Sequence, residues 1–430
     1  MNKLYILLVA LLFTASCTND LEQFPPNIAS SNSLEDFGGV LNAAYFYQHG
    51  SATPMAVMGD FRADNAFMFE APYTDFDEFN ANLTSMDDQF FGPFYTALYK
   101  SILSANNVIE NSTDETEVGE AKFLRALSYF KLVRVFGDVT VNLSATPSTT
   151  DGSILARQSA SSVYSDVIVP DFQDAVAALG TGENGRASKL AAQGMLGKVY
   201  MQLGDFSSAE SQLAAVVNGA DGAGISLQEN FADIFVNDLN SEIIFATQVS
   251  SSIADEYGFS EFWSWSGGLD TKSLEPLDQD LVAAFDASPG DLRRTVTINE
   301  GATASPKFPQ EGGPDHDWIE LRLGDVILLY AEALNENGNT SAALNELNKI
   351  RSRAGLENST ASSQADVRQA IADERRLELA FEGQRWFDLV RTGTVNTEMG
   401  QTIDSKYYVF PIPVSEVLSS FGVITQNDGY

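Results

Sequence analysis

The sequence predicts a mainly α-helical fold, built on helical hairpins with long irregular insertions, and three observations carry that reading. Apolar residues recur with a period near 3.6 from Phe94 onward, where Leu98, Ile102, Ala105 and Val108 fall on one helical face. Two separate stretches repeat one order of small, aromatic and apolar residues around a glycine turn. Between them, residues 219–318 are turn-rich and mixed in character, as structured insertions on a helical frame are.

The chain opens with Lys3, an almost unbroken apolar run from Leu4 to Ala15, and Ser16-Cys17, after which polar and acidic residues follow at once. About a dozen apolar residues are too few for the ~20 that cross a bilayer as a helix, so residues 1–16 read as a secretory signal. Cys17 is the only cysteine of the sequence, which leaves no disulfide framework to explain it. Its place after a small residue at the end of the apolar run marks a lipidation site. Residues 17–430 are then one domain, soluble in fold and tethered to a membrane.

Composition bounds what that domain does. Hydrophobic residues make up 44% of the chain and include 28 phenylalanines, enough for a large core. The formal net charge of -34 excludes a general nucleic-acid binder, because no basic surplus exists to neutralise phosphates. With two histidines and one cysteine committed to the anchor, no zinc constellation can be assembled. Neither PDHD at 314–317 nor Asp87-Asp88 matches a calcium loop. No metal and no cofactor is expected, and no phosphate-cradling or nucleophile-elbow motif sits between a strand and a helix.

Residues 18 to about 95 are poor in helical signals and carry Pro25-Pro26, Gly38-Gly39 and aromatic patches. After the helix that begins near Phe94, Phe123, Ala126, Tyr129, Phe130 and Val133 form a second apolar stripe, which Gly137 ends. The first hairpin falls within 185–218, where Leu196-Gly197, Tyr200, Gly204, Phe206, Ala209 and Leu213 have tetratricopeptide-like spacing. Gly197 and Ala209 let its helices approach closely, and Gly204-Asp205 makes the turn. In the insertion-rich region 219–318, residues 242–247 read as a strand and 257–269 are unusually aromatic. The C-terminal part, 319–430, holds the second hairpin, with Tyr330-Ala331, Leu334, Gly338, Ala343 and Leu347 at the same spacings and Thr340 at the aromatic position. Glu374, Arg375, Arg376, Glu378, Glu382 and Arg385 then lie along one amphipathic helix, with Trp386 and Phe387 packing in the core. Arg125 and Arg134 are scaffold charges. Residues 407–413 and 424–430 read as a strand or a tied-down terminal arm.

Several wordings follow one another in an order that resembles the SusD/RagB family, the outer-membrane nutrient-uptake lipoproteins of Bacteroidetes. They are AKFLRALSYFKLVRVFGD at 121–138, then 185–205, 321–335, 348–355, 374–393, and the ending 409–413 with 424–430. The resemblance implies a SusD-like alpha-alpha superhelix of four tetratricopeptide-like hairpins, with an irregular ligand-binding region laid over them. It implies cell-surface binding of oligosaccharide or polysaccharide and its delivery, without catalysis, to a SusC-like TonB-dependent porin. It also places the lipid anchor on the extracellular face of the outer membrane, since CTNDLE resembles the family's acidic sorting signal. Starch, fructans, host glycans and peptides are all nutrients of the family.

Aromatic faces stack on sugar rings, while carboxylates, amides and guanidinium groups bond the hydroxyls. Family members collect such groups before the first long helices and from insertions after the second hairpin. That directs attention to Asp60, Arg62, Asp64 and Asn65 in GDFRADNAF, to Tyr73, Phe90, Phe91 and Tyr95, and to Trp263 and Trp265 in FWSWSGG. The last pair, spaced i, i+2, presents both rings on one side of an extended segment. Two other functions remain open at this level: a glycan-active hydrolase or transferase, and a tetratricopeptide-like assembly protein without a soluble ligand. Glu378 and Glu382 are the carboxylate pair a hydrolase would need, yet one helix face points both the same way, whereas a glycosidase sets its pair across a sugar.

Overall fold

The computed structural model describes residues 36–67, 71–148, 151–181, 185–249, 276–309 and 316–430. The chain divides into two units, Met1–Phe37 and Gly38–Tyr430, and all the elements below belong to the second. Its principal helices are α1 (Gly38–Gln48), α2 (Ala52–Asp60), α3 (Gly92–Asn111), α4 (Glu115–Phe136), α5 (Val169–Ala178), α6 (Lys189–Leu203), α7 (Phe206–Gly219) and α8 (Gln279–Asp286). They continue with α9 (Leu323–Glu336), α10 (Thr340–Arg353), α11 (Gln364–Leu379) and α12 (Arg385–Thr392). Two antiparallel ribbons complete the frame, β1 (Val139–Thr140) with β2 (Arg157–Gln158) and β3 (Ile243–Thr247) with β4 (Trp318–Arg322). The architecture is mainly α.

Helices pack in a continuous row: α1 on α3, α3 on α4, α4 on α5, α5 on α6, α6 on α7, α7 on α9, and α9 on both α10 and α11. The middle of that row explains its sequence. Helix α4 starts where the Asp114 carboxylate accepts hydrogen bonds from the backbone N–H groups of Thr116 and Glu117, and it ends at Gly137 with φ of 72°. The predicted stripe of Phe123, Ala126, Tyr129, Phe130 and Val133 is fully inside, but so is most of the opposite face. Its buried polar residues are therefore matched by partners on neighbouring elements. Arg125 meets Asp171 at 2.7 Å and the Asn106 side-chain Oδ1 at 2.8 Å, while the Lys131 ammonium reaches Glu320, Ser51 and Gln48.

The first hairpin forms as its glycines imply. Gly204 closes α6 in the left-handed conformation at φ of 71°, and the Asp205 carboxylate caps α7 by accepting from the N–H of Ser208. A Cβ on Gly197 would stand 2.6 Å from the Leu213 side chain, which fixes the close approach of the two helices. The second hairpin joins α9 to α10. The ribbon β3–β4 is buried along its whole length and carries register shifts on either side of Phe245.

Two sequence expectations need correction, and a third leaves two alternatives. Residues 38–60 are helical, and α2 escaped notice because eight of its nine residues are buried, so no polar face alternates with an apolar stripe. Helix α11 stops at Leu379, so Glu382 and Arg385 are not on one helix with Glu374. Phe381 and Gly383, with φ of 66° and 67°, turn the chain sharply before α12 begins. Lastly, residues 407–413 and 424–430 form a tied-down arm and no strand. Phe410 donates to Val135, the Asn427 amide donates to Phe136 and Phe410, and Gln426 exchanges two hydrogen bonds with Ile412.

The turn after α11 lies hard against α2, and Gly59 allows it: an added Cβ would sit 2.2 Å from the Gly383 carbonyl carbon. Because the obstacle is backbone, Gly59→Ala is expected to lower stability by about 3 kcal/mol in urea unfolding. Gly39→Ala, with nothing within 4 Å of the new methyl, is expected to leave the midpoint unchanged or raise it slightly.

Candidate functional site

Asp60, Arg62, Asp64 and Asn65 are brought together just after α2, and all four are buried. The Asp60 carboxylate accepts from the backbone N–H groups of Gly383 at 2.8 Å and Phe381 at 3.2 Å and from the Asn65 amide at 2.9 Å. Burial pushes it up to about 6, against the pull of those hydrogen bonds. Arg62 donates to the carbonyls of Phe76 and Tyr407 and to the Tyr430 hydroxyl, and its guanidinium stacks 4.5 Å from the Phe79 ring centre. Asp64 takes both arms of Arg385 at 2.7 Å, and although burial opposes ionisation, Arg385 and Arg376 hold it below the usual range.

The aromatic set is likewise internal. Tyr73 and Phe90 meet edge to face at 6.4 Å, Phe91 packs on Phe410 at 5.8 Å, and Tyr95 lies on Tyr99 at 4.4 Å. A stacking surface needs an exposed ring face, and each of these residues is less than a tenth exposed. In this structure Tyr73, Phe90, Phe91 and Tyr95 pack in the core, and Asp60, Arg62, Asp64 and Asn65 are buried and held by internal partners. Trp263, Trp265 and Cys17 lie outside the described residues.

Among the described residues, an extended polar assembly surrounds Arg322 at the end of β4. Its guanidinium reaches Glu242 at 2.8 Å, Glu378 at 2.6 Å and Glu382 at 2.7 Å. Arg293 joins Asp291, Glu374 and Glu378, Arg353 joins Glu378 and Glu242, Lys307 holds Glu382, and Arg351 holds Glu374. Five cations thus meet five carboxylates. Burial alone would raise Glu378, but Arg353, Arg322 and Arg293 bring it well below the usual carboxylate range, and Arg322 and Lys307 lower Glu382 in the same way. Both carboxylates are taken up by internal ion pairs with Arg322, whereas a glycosidase sets its acid and nucleophile facing each other across a sugar. Sequence reasoning placed both residues near each other but missed that Arg322, Arg293 and Arg353 converge on them from distant segments.

A cavity of about 310 Å³ opens between the α6–α7 turn, α9, α11 and α12. Met201, Phe206, Leu379 and Leu389 give it apolar walls, and Arg368, Arg376, Arg391, Glu332 and Glu336 give it charged ones. Of the sequence-derived residues that are described, Asn65 reaches it. Beside it, Arg375 and Arg391 hold Asp388 at about 2 against the effect of burial. Among the described residues no group of three or more His, Cys, Asp or Glu is arranged to hold a metal ion.

The opposed shifts fix a pH dependence. Glu378, Glu382 and Asp388 bind protons more tightly when unfolded, so their stabilisation is present above the unfolded carboxylate range and is lost as pH falls toward about 2. Asp317, buried beside Asp238 and raised to about 7, acts in the other direction: its contribution is full below 3.8 and disappears as pH rises through 7. Asp317→Asn, which keeps an acceptor for the Val249 N–H, is expected to raise the melting temperature at pH 8 and not at pH 4. Glu378→Gln, by contrast, is expected to lower stability at pH 7 by about 3–5 kcal/mol, read by urea unfolding.

With this geometry established, comparison with known proteins gives a consistent answer. Residues 288–406 match the model of the SusD family, and residues 17–201 match a model described as "Starch-binding associating with outer membrane". SusD-like protein P2 of Formosa agariphila is 27% identical across 100% of both chains. Among solved structures, a SusD superfamily protein from Bacteroides vulgatus superposes with a TM-score of 0.77 at 21% identity, covering 93% of this chain and 99% of the other. Surface glycan-binding protein A from Bacteroides fluxus gives 0.77 at 21%, covering 94% and 100%. A laminarin-binding SusD-like protein gives 0.71 at 24%, covering 92% and 99%. Family models at both ends of the chain and the shared helical fold agree: the chain belongs to the SusD/RagB family.

Proposed function

We propose that this protein captures oligosaccharide or polysaccharide at the cell surface and delivers it, uncleaved, to a SusC-like TonB-dependent outer-membrane transporter. The observation that carries the reading is family membership over the length of the chain, together with structural neighbours named for glycan and laminarin binding. Lipidated Cys17 would hold the protein on the extracellular face of the outer membrane. The internal ion pairing of Glu378 and Glu382 supports binding without hydrolysis.

Trp263 and Trp265 are the residues proposed to stack on sugar rings. Buried Asp60, Arg62, Asp64 and Asn65 would serve that contact indirectly, by fixing the scaffold from which the tryptophan segment departs. The N–H of Phe67 donates to Pro276 at 2.9 Å, that of Asp278 donates to Asn65, and Ala66 bridges Leu277, all directly after the segment. At its other side, the N–H of Val249 donates to Asp317 at 2.9 Å.

A screen of the purified protein against neutral and acidic polysaccharides, oligosaccharides and peptides, with product analysis of every hit, tests the proposal. Saturable binding without product is expected, and Trp263→Ala with Trp265→Ala is expected to weaken it about tenfold or more at unchanged melting temperature. Product formation would assign an enzyme, and absence of any ligand would favour a role in transporter assembly. Mass spectrometry of detergent-extracted protein tests the anchor, since an unmodified Cys17 would remove it.

A further inference from the structure

The cavity between the α6–α7 turn, α9, α11 and α12 has no part in the reading above, and its chemistry is specific. Its volume of about 310 Å³ lies at the small end of the ~300–1,000 Å³ range of small-molecule sites. Around it, six cations (Lys198, Arg368, Arg375, Arg376, Arg385, Arg391) balance six carboxylates (Asp64, Asp325, Glu332, Glu336, Asp388, Glu398). In a chain of net charge -34, this surface is locally neutral and does not repel an anion as the chain's overall charge would.

Three guanidinium groups at the cavity keep unspent hydrogen-bonding capacity. Arg368 uses Nε and Nη2 on Glu336, Arg376 uses Nε and Nη2 on Asn65 and Asp64, and Arg385 uses Nε and Nη2 on Asp64 and Glu398. Nη1 of each makes no hydrogen bond with the described residues; the Arg368 side chain is half exposed, while those of Arg376 and Arg385 are mostly buried. Arg376 and Arg385 also share one carboxylate, Asp64. The walls therefore hold spare guanidinium donors, which an ionised acceptor satisfies best. Phe206, Met201, Leu379 and Leu389 provide an apolar surface for the remainder of such a molecule.

We propose that this cavity binds a small carboxylate-bearing ligand about the size of one uronic acid residue, independently of Trp263 and Trp265. The carboxylate accepts from the free guanidinium N–H groups, and the body of the ligand lies against Phe206 and its apolar neighbours. The same chemistry is available from an acidic sugar or an acidic amino acid.

Calorimetric titration of the full-length protein at low salt with D-galacturonate, N-acetylglutamate and D-galactose tests this. Saturable one-site binding of at least one carboxylate, and none of galactose, is expected. A galacturonate response assigns the sugar-acid source, and an N-acetylglutamate response the amino-acid source. Arg368→Gln, which removes a solvent-facing donor, and Ala372→Leu, which fills the cavity, are each expected to weaken that binding about tenfold, whereas Trp263→Ala with Trp265→Ala leaves it unchanged. Should Ala372→Leu fail to fold, Arg368→Gln carries the comparison. No saturable binding of either carboxylate, equal binding of galactose, or binding indifferent to the cavity substitutions would overturn the proposal.

Discussion

Electroneutrality inside the helical row is the constraint on which the rest of this structure depends. Arg322 and Glu378 are each almost wholly removed from water, and an isolated charge there would be far too costly to keep. Each is tolerated because its partners arrive from separate segments: Glu242 beside β3, Arg293 after α8, Arg353 at the end of α10, and Glu382 past the end of α11, with Asp291 and Lys307 neutralising Arg293 and Glu382 in turn. None of these segments can be displaced without stranding a charge on another. The assembly thus specifies one arrangement, beyond whatever net stability it contributes.

That dependence explains which parts of the fold were legible in the sequence. Helices α4, α6, α7, α9 and α10 announce themselves because their information is local: a capping Asp114 or Asp205, a left-handed glycine, an apolar residue every third or fourth position. Helix α2 does not, because a helix buried on every side has no contrast between faces. The break after α11 was equally hidden: it involves Phe381, at φ of 66°, whose N–H donates to the Asp60 carboxylate more than three hundred residues away. Local pattern cannot express such a partner.

The same reasoning separates the candidate ligand residues. GDFRADNAF has the polar and aromatic makeup of a sugar-binding loop, and composition alone does not say whether its carboxylates face outward or inward. The structure turns them inward, onto Gly383, Phe381, Arg385 and Arg376, where they brace the turn between α11 and α12. The cavity between α6, α9, α11 and α12 was illegible for the opposite reason, since its walls are assembled from residues as far apart as Asn65 and Glu398.

Arg62 carries a consequence for the order of folding. Its guanidinium also donates to the Tyr407 carbonyl and the Tyr430 hydroxyl, the latter 368 positions further along the chain. Until that arm docks, the cation has aromatic rings but only one hydrogen bond, to the Phe76 carbonyl. The early segments therefore reach their final packing only after residues 407–430 have emerged and closed over them. Contacts of such long sequence separation carry a large loop-closure entropy and slow the final step of folding, so the early half waits, partly unsatisfied, for the late one.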